Sequence, residues 1–394
     1  MRKTFGGEAG LKLPVGVPLV AAGDRVFTSG LVSDRPGGLE SEAHRVFQQA
    51  LAVLREAGAT PSDVVRTRIF YVADEHGAST VRPELVEGQT RRAEQLLRDV
   101  HGVVFDHPGP AFTAVQVSCL PGGAEVEVEL EAVRGAGKAM KRHQPDEASS
   151  TSAGVRWGDE VWLSGVTAVS ADGRVVSPGK ALGQVDVVVQ RTEAALKALG
   201  AGAPDAVASR HWMRHDTQAH PRPPSWTDFM RRATPTSAGI AVEGVGPRDA
   251  VFMYEVDAVA GAAKGRKNVR TGRTFEVEHH YCRSVRVGQR DVVYVAGSTS
   301  IIPGEVVRHP GEVRGQVFDT LETVRWGIEQ QGLAWTDLAR TRSYIVGGPE
   351  KLEEAAAALR DAVGGMAAAA SVAGVPVLGR PEVVVEIEAT AVKG

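Results

Sequence analysis

Three strand-like segments each carry an arginine followed two residues later by an aromatic residue. They read D-V-V-R-T-R-I-F-Y-V from residue 63, S-R-H-W-M-R from residue 209 and D-L-A-R-T-R-S-Y-I-V from residue 337, and the pairs are Arg68 with Phe70, Arg210 with Trp212, and Arg342 with Tyr344. Residues two apart share one face of a strand. A guanidinium can bind a carboxylate through two hydrogen bonds, and a neighbouring ring offers a planar surface to a conjugated molecule. We therefore predict that these six residues bind substrate in clefts between repeated units. Alternatively, each arginine pairs with a strand glutamate across the interface and holds the units together.

The elements that would position these residues recur along the chain, which indicates a repeated unit. Each copy contains a short segment that ends in glycine after a polar turn, at Gly30, Gly165 and Gly297. A predicted helix then ends at Gly58, Gly200 or Gly332, because glycine tolerates the positive φ at a helix C-terminus. Each unit closes in a segment of alternating polar and apolar residues, which predicts a half-buried strand.

These repeats predict an α+β protein with three tandem domains, at residues 1–138, 139–263 and 264–394. The domains are joined by small, basic linkers, as domain boundaries often are. Only twenty residues separate Asp216 from Ser237 in the middle domain. Its second helix is therefore predicted to be short.

Composition limits the class of protein. Of the 394 residues, 43% are hydrophobic and 24% are charged, which is typical of a folded globular protein. The formal charge is −3 with no basic stripe, which argues against a nucleic-acid partner. Two cysteines, Cys119 and Cys282, cannot build a disulfide framework, and the first residues lack a signal-peptide pattern, so a cytoplasmic protein is expected. No apolar run approaches the roughly 18 residues of a membrane helix, so no membrane partner is expected.

Three features of the units resemble the RidA (YjgF-like) family: the S-G after the first hairpin, the D-x-x-[RK]-T strand and the terminal E-[IVL]-[ED]-A motif. The resemblance covers essentially the whole chain, although the middle unit reads D-A-V-A-S in the strand. It implies a sheet with two helices on one face, and trimers with ligand sites between subunits. The chain therefore resembles a trimer fused into one polypeptide, an intramolecular pseudo-trimer that is expected to be a monomer or a homodimer. The third unit is also similar to the catalytic half of chorismatases.

One residue implied by this resemblance is missing. Family deaminases hold the substrate carboxylate with an arginine shortly before the last strand, and that position is occupied here by Phe112, by Ser237, and by Ala369 or Ala370. This departure argues against the usual action on 2-aminoacrylate-type imines. We predict that the three strand arginines take over the anchoring role.

The glutamate that opens the terminal motif is present in every unit, as Glu129, Glu255 and Glu386. The resemblance implies that this residue positions or donates protons to water or substrate, which requires a carboxyl whose pKa is raised by partial burial. We predict these three residues to be catalytic, with Glu386 the foremost candidate. Alternatively, they lie on the solvated face of an alternating strand.

Two serines and several histidines are the remaining candidates for binding residues. Ser29 and Ser164 precede the repeated glycine and are predicted to hydrogen-bond substrate, although the third unit has Ala296 there. No metal site is predicted. His211 and His215 would lie about 13 Å apart on a strand, and the segment E-V-E-H-H-Y-C from residue 276 has no recognised ligand spacing. No cofactor is implied.

These observations favour an enzyme that applies general acid/base catalysis to an unsaturated small molecule bearing a carboxylate or ketone, in specialised (natural-product) metabolism. Hydrolysis, pyruvate loss, and cyclisation with loss of water all need a placed proton donor and a bound anion. Two alternatives stay open. One is an imine or enamine deaminase with a relocated anchor, and the other is a non-catalytic binder of small ligands.

Overall fold

A computed structural model describes residues 2–6, 15–73, 93–146, 149–217 and 222–394. Within these ranges the chain forms three mixed sheets, one inside each predicted unit, with α-helices packed on them. The α+β class is therefore confirmed. Among the described helices, none is long and apolar enough to cross a membrane.

The first unit contains β1 (Arg2–Phe5), β2 (Leu19–Ala22), β3 (Arg25–Thr28), β4 (Leu31–Val32), α1 (Leu39–Glu56), β5 (Val64–Tyr71), α2 (Ala93–Val104), β6 (Ala111–Gln116) and β7 (Val126–Val133). Its sheet has the order β1-β2-β3-β7-β5-β6, and β4 pairs with β7. Ile69 and Tyr71 of β5 pack in the same core as Phe47 of α1, whereas Phe70 faces the other side of the sheet. Alternation along the strand thus gives β5 one helix-covered face and one face turned toward the other units.

The second unit contains β8 (Lys141–His143), β9 (Gly154–Trp157), β10 (Glu160–Leu163), β11 (Val166–Thr167), α3 (Ala181–Ala198), β12 (Ala206–Arg214), α4 (Pro224–Ala233), β13 (Thr236–Val242) and β14 (Phe252–Val259). Its sheet order, β8-β9-β10-β14-β12-β13, matches that of the first unit. Helix α4 covers ten residues.

The third unit contains β15 (Arg266–Val269), α5 (Thr274–Glu278), β16 (Ser284–Val287), β17 (Val292–Ser298), β18 (Ile301–Ile302), β19 (Val306–Val307), α6 (Val313–Gln330), β20 (Leu338–Val346), α7 (Pro349–Val363), β21 (Ala369–Val375) and β22 (Val385–Val392). Its sheet order is β15-β16-β17-β22-β20-β21, while β18 and β19 form a separate hairpin. Because α7 covers fifteen residues, the second helix of the middle unit is the shorter by five.

The uncovered faces of the three sheets meet one another. Arg68 of the first unit pairs with Glu255 of the second, and the Nε atom of Arg210 in the second unit lies 2.6 Å from Glu388 of the third. Arg342 of the third unit returns to Glu129 of the first, with 2.6 Å between Nη2 and Oε2. Each unit is therefore joined to both of the others by an ion pair, in a closed ring.

We call this buried set of charges the central cluster. Its members belong to β5, β7, β12, β14, β20 and β22, and every one of them is at least 95% buried: Arg66, Arg68, Arg210, Arg340, Arg342, Glu129, Glu131, Glu255, Asp257 and Glu388. Next to it lies an apolar cluster shared by all three units, which includes Phe70, Trp212 and Tyr344. The centre of the molecule is therefore a packed interface.

Candidate active site

The structure places the predicted arginine anchors in the central cluster. Arg68 pairs with Glu129 at 3.0 Å, Arg210 with Asp257 at 3.0 Å, and Arg342 with Glu388 at 2.5 Å, in addition to the contacts between units. These guanidiniums are almost fully buried and already paired with carboxylates, so a substrate cannot reach them. The interface ion pairs considered as the alternative are therefore what the structure shows, and we reassign the anchoring role.

The aromatic partners of these arginines are also part of the interface. The rings of Phe70 and Tyr344 meet edge to face with 6.1 Å between centroids, and the guanidinium of Arg68 lies 5.9 Å from the ring of Trp212. All three rings are fully buried. They stabilise the contact between units and present no surface to a ligand.

Two of the three predicted catalytic glutamates belong to the same cluster. The guanidinium of Arg342 and then that of Arg68 hold the pKa of Glu129 far below its usual range, against the opposing effect of burial. Arg66, Arg68 and Arg210 lower the pKa of Glu255 in the same way. Carboxylates that stay ionised and fully paired cannot donate a proton near neutral pH, so their role is structural.

Strand register shows that Glu129, Glu255 and Glu386, which the sequence motif aligns, do not occupy equivalent positions in the three sheets. Arg68 lies opposite Glu129 and Arg210 opposite Glu255, but Arg342 lies opposite Glu388. Glu386 instead faces Tyr344, and its counterparts are Glu127, which faces Phe70, and Met253, which faces Trp212. The terminal motif is displaced by two residues in the third unit, and a shift of two leaves the alternation unchanged.

Glu386 lines a cavity of about 190 Å³ between the second and third units. The second unit contributes β12, α4, β13 and β14, and the third contributes α5, the segments around it, the end of β17, the β18–β19 hairpin and the loop before β22. Apolar and aromatic walls come mainly from Trp226, Met230, Phe252, Phe275 and Tyr281. The only predicted catalytic or binding residue that lines this cavity is Glu386.

The Glu386 carboxyl has the electrostatics of a proton donor. Burial, the largest effect, together with repulsion from Glu388, raises its pKa to about 8, while Arg283, Arg273 and the backbone N–H of Gly239 act in the opposite direction. At pH 7 the group is therefore mostly protonated. A buried carboxylic acid at a cavity wall can deliver its proton to a bound molecule.

Arg283 is fixed beside Glu386 by its own partners. Its Nε donates to Glu276 of α5 at 3.0 Å, and its Nη1 donates to the carbonyl of Gly297 at 2.6 Å and to Ser298 at 3.0 Å. Glu276 is fully buried and accepts from the backbone N–H of Thr271 at 2.7 Å. These contacts hold the guanidinium of Arg283 rigidly at the cavity wall.

Three further guanidiniums line the cavity, on Arg222, Arg273 and Arg380. Arg222 contacts the ring of His279 at 2.8 Å and lies 6.0 Å from the centroid of Phe275. Arg273 is 91% buried, and its Nε has no hydrogen-bond partner among the residues that the structure describes. The cavity therefore offers positive charge for an anion.

The cavity arginines line the cleft that also contains one of the positions where the family arginine is absent. Register pairs Phe112 with Thr67, Ser237 with Ser209 and Ala370 with Thr341, so these three are equivalent positions and Ala369 is not. Ser237 lines the cavity. The sequence pattern did not reveal Arg222, Arg273, Arg283 or Arg380, because all four lie outside the repeated motifs. The one signal was the density of arginines around the segment 270–283.

The predicted serines hold units together. Ser29 accepts from the backbone N–H of Ala370 in the third unit at 2.9 Å, and Ser164 accepts from that of Phe112 in the first unit at 2.8 Å. The equivalent residue at the remaining interface is Ala296, which has no hydroxyl. The cavity lies at that interface.

Within the described ranges, no group of three or more His, Cys, Asp or Glu side chains is placed to hold a metal ion. His211 lines the cavity, and His215 lies 3.3 Å from Glu243.

Stability is expected to fall with rising pH because of Glu386. The folded pKa of about 8 exceeds the ordinary value of 4.5, so the contribution of the protonated group is complete below pH 4.5 and is lost as the pH rises through 8. The slope is about 1.4 kcal/mol per pH unit within that window. Urea unfolding of wild type and Glu386→Gln at pH 5, 7 and 9 measures it. Relative to wild type, Glu386→Gln should become more stable as the pH rises, whereas the stability difference between the exposed Glu329→Gln and wild type should not change with pH. Parallel curves for all three proteins would contradict the prediction.

Gly297 is expected to be required for the position of Glu386. A Cβ at Gly297 would lie 2.0 Å from Oε1 of Glu386, so alanine must displace the carboxyl. A Cβ at the counterpart Gly165 would meet the flexible Met253, with Sδ at 2.5 Å, and Cγ2 of Thr113 at 3.1 Å. Misplacing a catalytic group by about 1 Å can cost on the order of a hundredfold in rate. Gly297→Ala should therefore lose activity by about that factor and Gly165→Ala less than twofold, and equal activities of the two variants would count against this geometry.

Comparison with protein families identifies the class. The family model described as Endoribonuclease L-PSP matches residues 17–134 and 271–393, more than half of the chain. The chain belongs to this family, and the resemblance to RidA (YjgF-like) proteins is confirmed. The two matched segments lie in the first and third units, and the middle unit has the same sheet order.

Individual proteins are similar to parts of the chain. The 2-iminobutanoate/2-iminopropanoate deaminase of Bos taurus is 32% identical over 100 residues, covering 25% of this chain and 61% of the bovine protein, which is less than two thirds of its length. Protein DfrA of Myxococcus xanthus is 33% identical over 121 residues, covering 29% of this chain and 79% of that protein.

Two solved structures are similar to the chain or to part of it. A chorismatase crystal structure aligns over 84% of this chain and 93% of its own, with a TM-score of 0.51 and 15% identity, a likeness that shows the fold alone. A member of the YjgF/YER057c/UK114 family from Mycobacterium tuberculosis is 29% identical and covers 32% of this chain and 98% of its own, with a TM-score of 0.28.

Proposed function

We propose that this protein is an enzyme that applies general acid/base catalysis to an unsaturated small molecule bearing a carboxylate or ketone, with Glu386 as the proton donor. The observation that carries the proposal is a carboxyl with a pKa of about 8 in the wall of a cavity that also presents guanidiniums. Proton transfer by a placed group and electrostatic binding of an anion together supply large rate enhancements.

The proposed chemistry begins with the protonated Glu386. Its proton is transferred to an imine nitrogen or to the terminal carbon of an enol ether, which leaves a cationic carbon. Water attacks that carbon, and the resulting carboxylate of Glu386 accepts a proton from the water. An imine then yields a ketone and ammonia, and an enol-ether carboxylate yields an alcohol and pyruvate. Each product set balances with one water consumed.

The guanidiniums bind the substrate carboxylate in this proposal. Arg283 is held rigidly by Glu276, while Arg273 has an unpartnered Nε within the described chain. The absence of the family arginine at Ser237 supports a substrate different from that of the usual deaminases. This difference, together with the aromatic walls, supports a cyclic or conjugated substrate from specialised metabolism, for which cyclisation with loss of water is a further outcome.

A second candidate is an imine deaminase with a relocated anchor. It is favoured by Arg273 and Arg283, both close enough to act on the charge of Glu386 in the same cleft where Ser237 replaces the family residue. The similarity to the bovine 2-iminobutanoate/2-iminopropanoate deaminase gives it a defined substrate class.

One experiment separates these candidates. The purified chain is incubated with freshly generated 2-iminobutanoate, with chorismate and with single-stranded RNA, and ammonia, pyruvate and RNA fragments are measured. Ammonia release supports the deaminase, and pyruvate release supports action on an enol ether. RNA cleavage without either product would overturn the proposal, because a cavity of about 190 Å³ accommodates a small molecule.

A further inference from the structure

The hairpin formed by β18 and β19 places an acidic side chain at the cavity. Glu305 follows the Pro303-Gly304 turn between the two strands and lines the cavity. Its Oε2 atom lies 3.1 Å from Nη2 of Arg380 and 3.5 Å from Nη2 of Arg273. The carboxylate of Glu305 therefore lies against two of the cavity guanidiniums.

Arg273 has little other compensation for its charge. Within the described residues its ion pair is the one with Glu305, although its side chain is 91% buried. Its Nε atom is buried without a hydrogen-bond partner there. A buried guanidinium with an unused donor is a strong site for a second carboxylate oxygen, because arginine binds carboxylates through two parallel hydrogen bonds.

The backbone at Glu305 has an unfavourable conformation. Glu305 has a φ of 61°, in the left-handed region that residues with a Cβ seldom adopt. Two contacts hold it there: its N–H donates to the carbonyl of Ile302 at 3.0 Å, and its carbonyl accepts from Nη1 of Arg380 at 2.6 Å. Arg380 thus hydrogen-bonds to the backbone carbonyl of Glu305 and forms an ion pair with its side chain. A glutamate kept in such a conformation by the cavity arginines indicates a functional position.

We propose that Glu305 is a built-in counter-ion that occupies the guanidinium site in the ligand-free protein and that the substrate carboxylate displaces. This inference rests on the proposed function and deepens it, because it makes Glu305 a specificity-determining residue. A ligand must bring its own anionic group to replace that of Glu305, so a neutral analogue cannot release the hairpin. Binding then replaces the two ion pairs of Glu305 with ion pairs to the ligand and frees residues 301–307.

The test measures binding of benzoate, an aromatic carboxylate used as a probe, and of its neutral analogue benzamide. Isothermal titration is carried out on wild type, Glu305→Gln and Glu312→Gln. The last variant removes an equal charge from the exposed segment after the hairpin, where Glu312 is 71% exposed. Glu305→Gln should bind benzoate about fivefold more tightly, since a half-exposed competing ion pair is removed. Glu312→Gln should stay within twofold, and benzamide should bind all three proteins alike.

A second readout follows the hairpin itself. Saturating benzoate should increase amide hydrogen exchange of residues 301–307 in wild type and should leave it unchanged in Glu305→Gln. Benzoate that binds wild type with no gain in Glu305→Gln overturns this inference alone, since turnover dependent on Glu386 would still stand. Benzoate that binds none of the three proteins contradicts the anion site itself and therefore both proposals.

Discussion

Arg342→Met is expected to lower the free energy of unfolding by about 3–5 kcal/mol, because removal of one partner leaves buried charge uncompensated. Arg342 is 98% buried, with Nη2 at 2.6 Å from Glu129 and Nη1 at 2.5 Å from Glu388. Each carboxylate keeps one other arginine, at 3.0 Å and 2.6 Å respectively. The variant nevertheless gives the central cluster an excess of one negative charge. Urea unfolding at pH 8 measures the loss.

The matched control for this variant is Arg325→Met. Arg325 forms a pair with Glu329 on the surface of α6, with both side chains about half exposed and 2.8 Å between Nε and Oε1. Such pairs contribute at most about 0.5 kcal/mol. The deficit of Arg342→Met should also shrink as the pH falls toward 5. One carboxyl freed from Arg342, such as Glu388 with its pKa of about 2 in the native protein, can then take up a proton. Equal losses in the two variants would refute a stabilising role for the central cluster.

Glu386→Gln is expected to lower turnover of the substrate that the product assay detects by about 10²–10⁴-fold, which is the usual contribution of a general acid. Glutamine keeps the shape of the side chain and removes the acidic proton. The dependence of wild-type kcat/KM on pH should reflect the ionisation of Glu386. Because the acid form is present below the pKa of about 8, kcat/KM should be level near pH 7 and fall about tenfold per pH unit well above 8.

The control for the catalytic variant is Glu127→Gln in the first unit. Glu127 is the structural counterpart of Glu386, and its pKa is likewise raised by burial and by the neighbouring Glu129. It does not line the cavity between the second and third units. Its substitution should leave turnover within about twofold of wild type. If Glu127→Gln loses as much activity as Glu386→Gln, the catalytic group has been misplaced.

Much of the fold could be predicted from local patterns. The repeated glycines, the closing alternation and strand parity follow from steric and burial requirements that act within a few residues. These requirements indicated which face of β5 carries Arg68 and Phe70. They did not decide whether that face meets a ligand or another unit, because a buried ion pair and an anion site use the same residue types.

Of the candidate site, the sequence predicted Glu386 but not the arginines that line the cavity with it. The sequence motif aligned Glu386 with Glu129 and Glu255, whereas strand register shows that Glu388 is their counterpart. The pattern could not reveal this, because a displacement by two residues leaves the alternation unchanged. The cavity arginines lie in loops and short elements of one unit, where no repeat points to them. Arg273 and Glu305 come together only through the tertiary fold, and no spacing in the sequence relates them.

The asymmetry of the central cluster has a consequence for assembly. The first unit supplies equal numbers of guanidiniums and carboxylates to the cluster. The second unit lacks one guanidinium, because Ala208 lies where its neighbours have Arg66 and Arg340. The third unit lacks one carboxylate, because Thr390 lies where the first has Glu131. Three copies of the second unit would accumulate surplus anions at their common axis, and three copies of the third surplus cations. The charges of the second and third units therefore cancel only when these two units are combined with each other. The second and third units thus depend on each other, so that, as separate pieces, they should associate with each other rather than with copies of themselves.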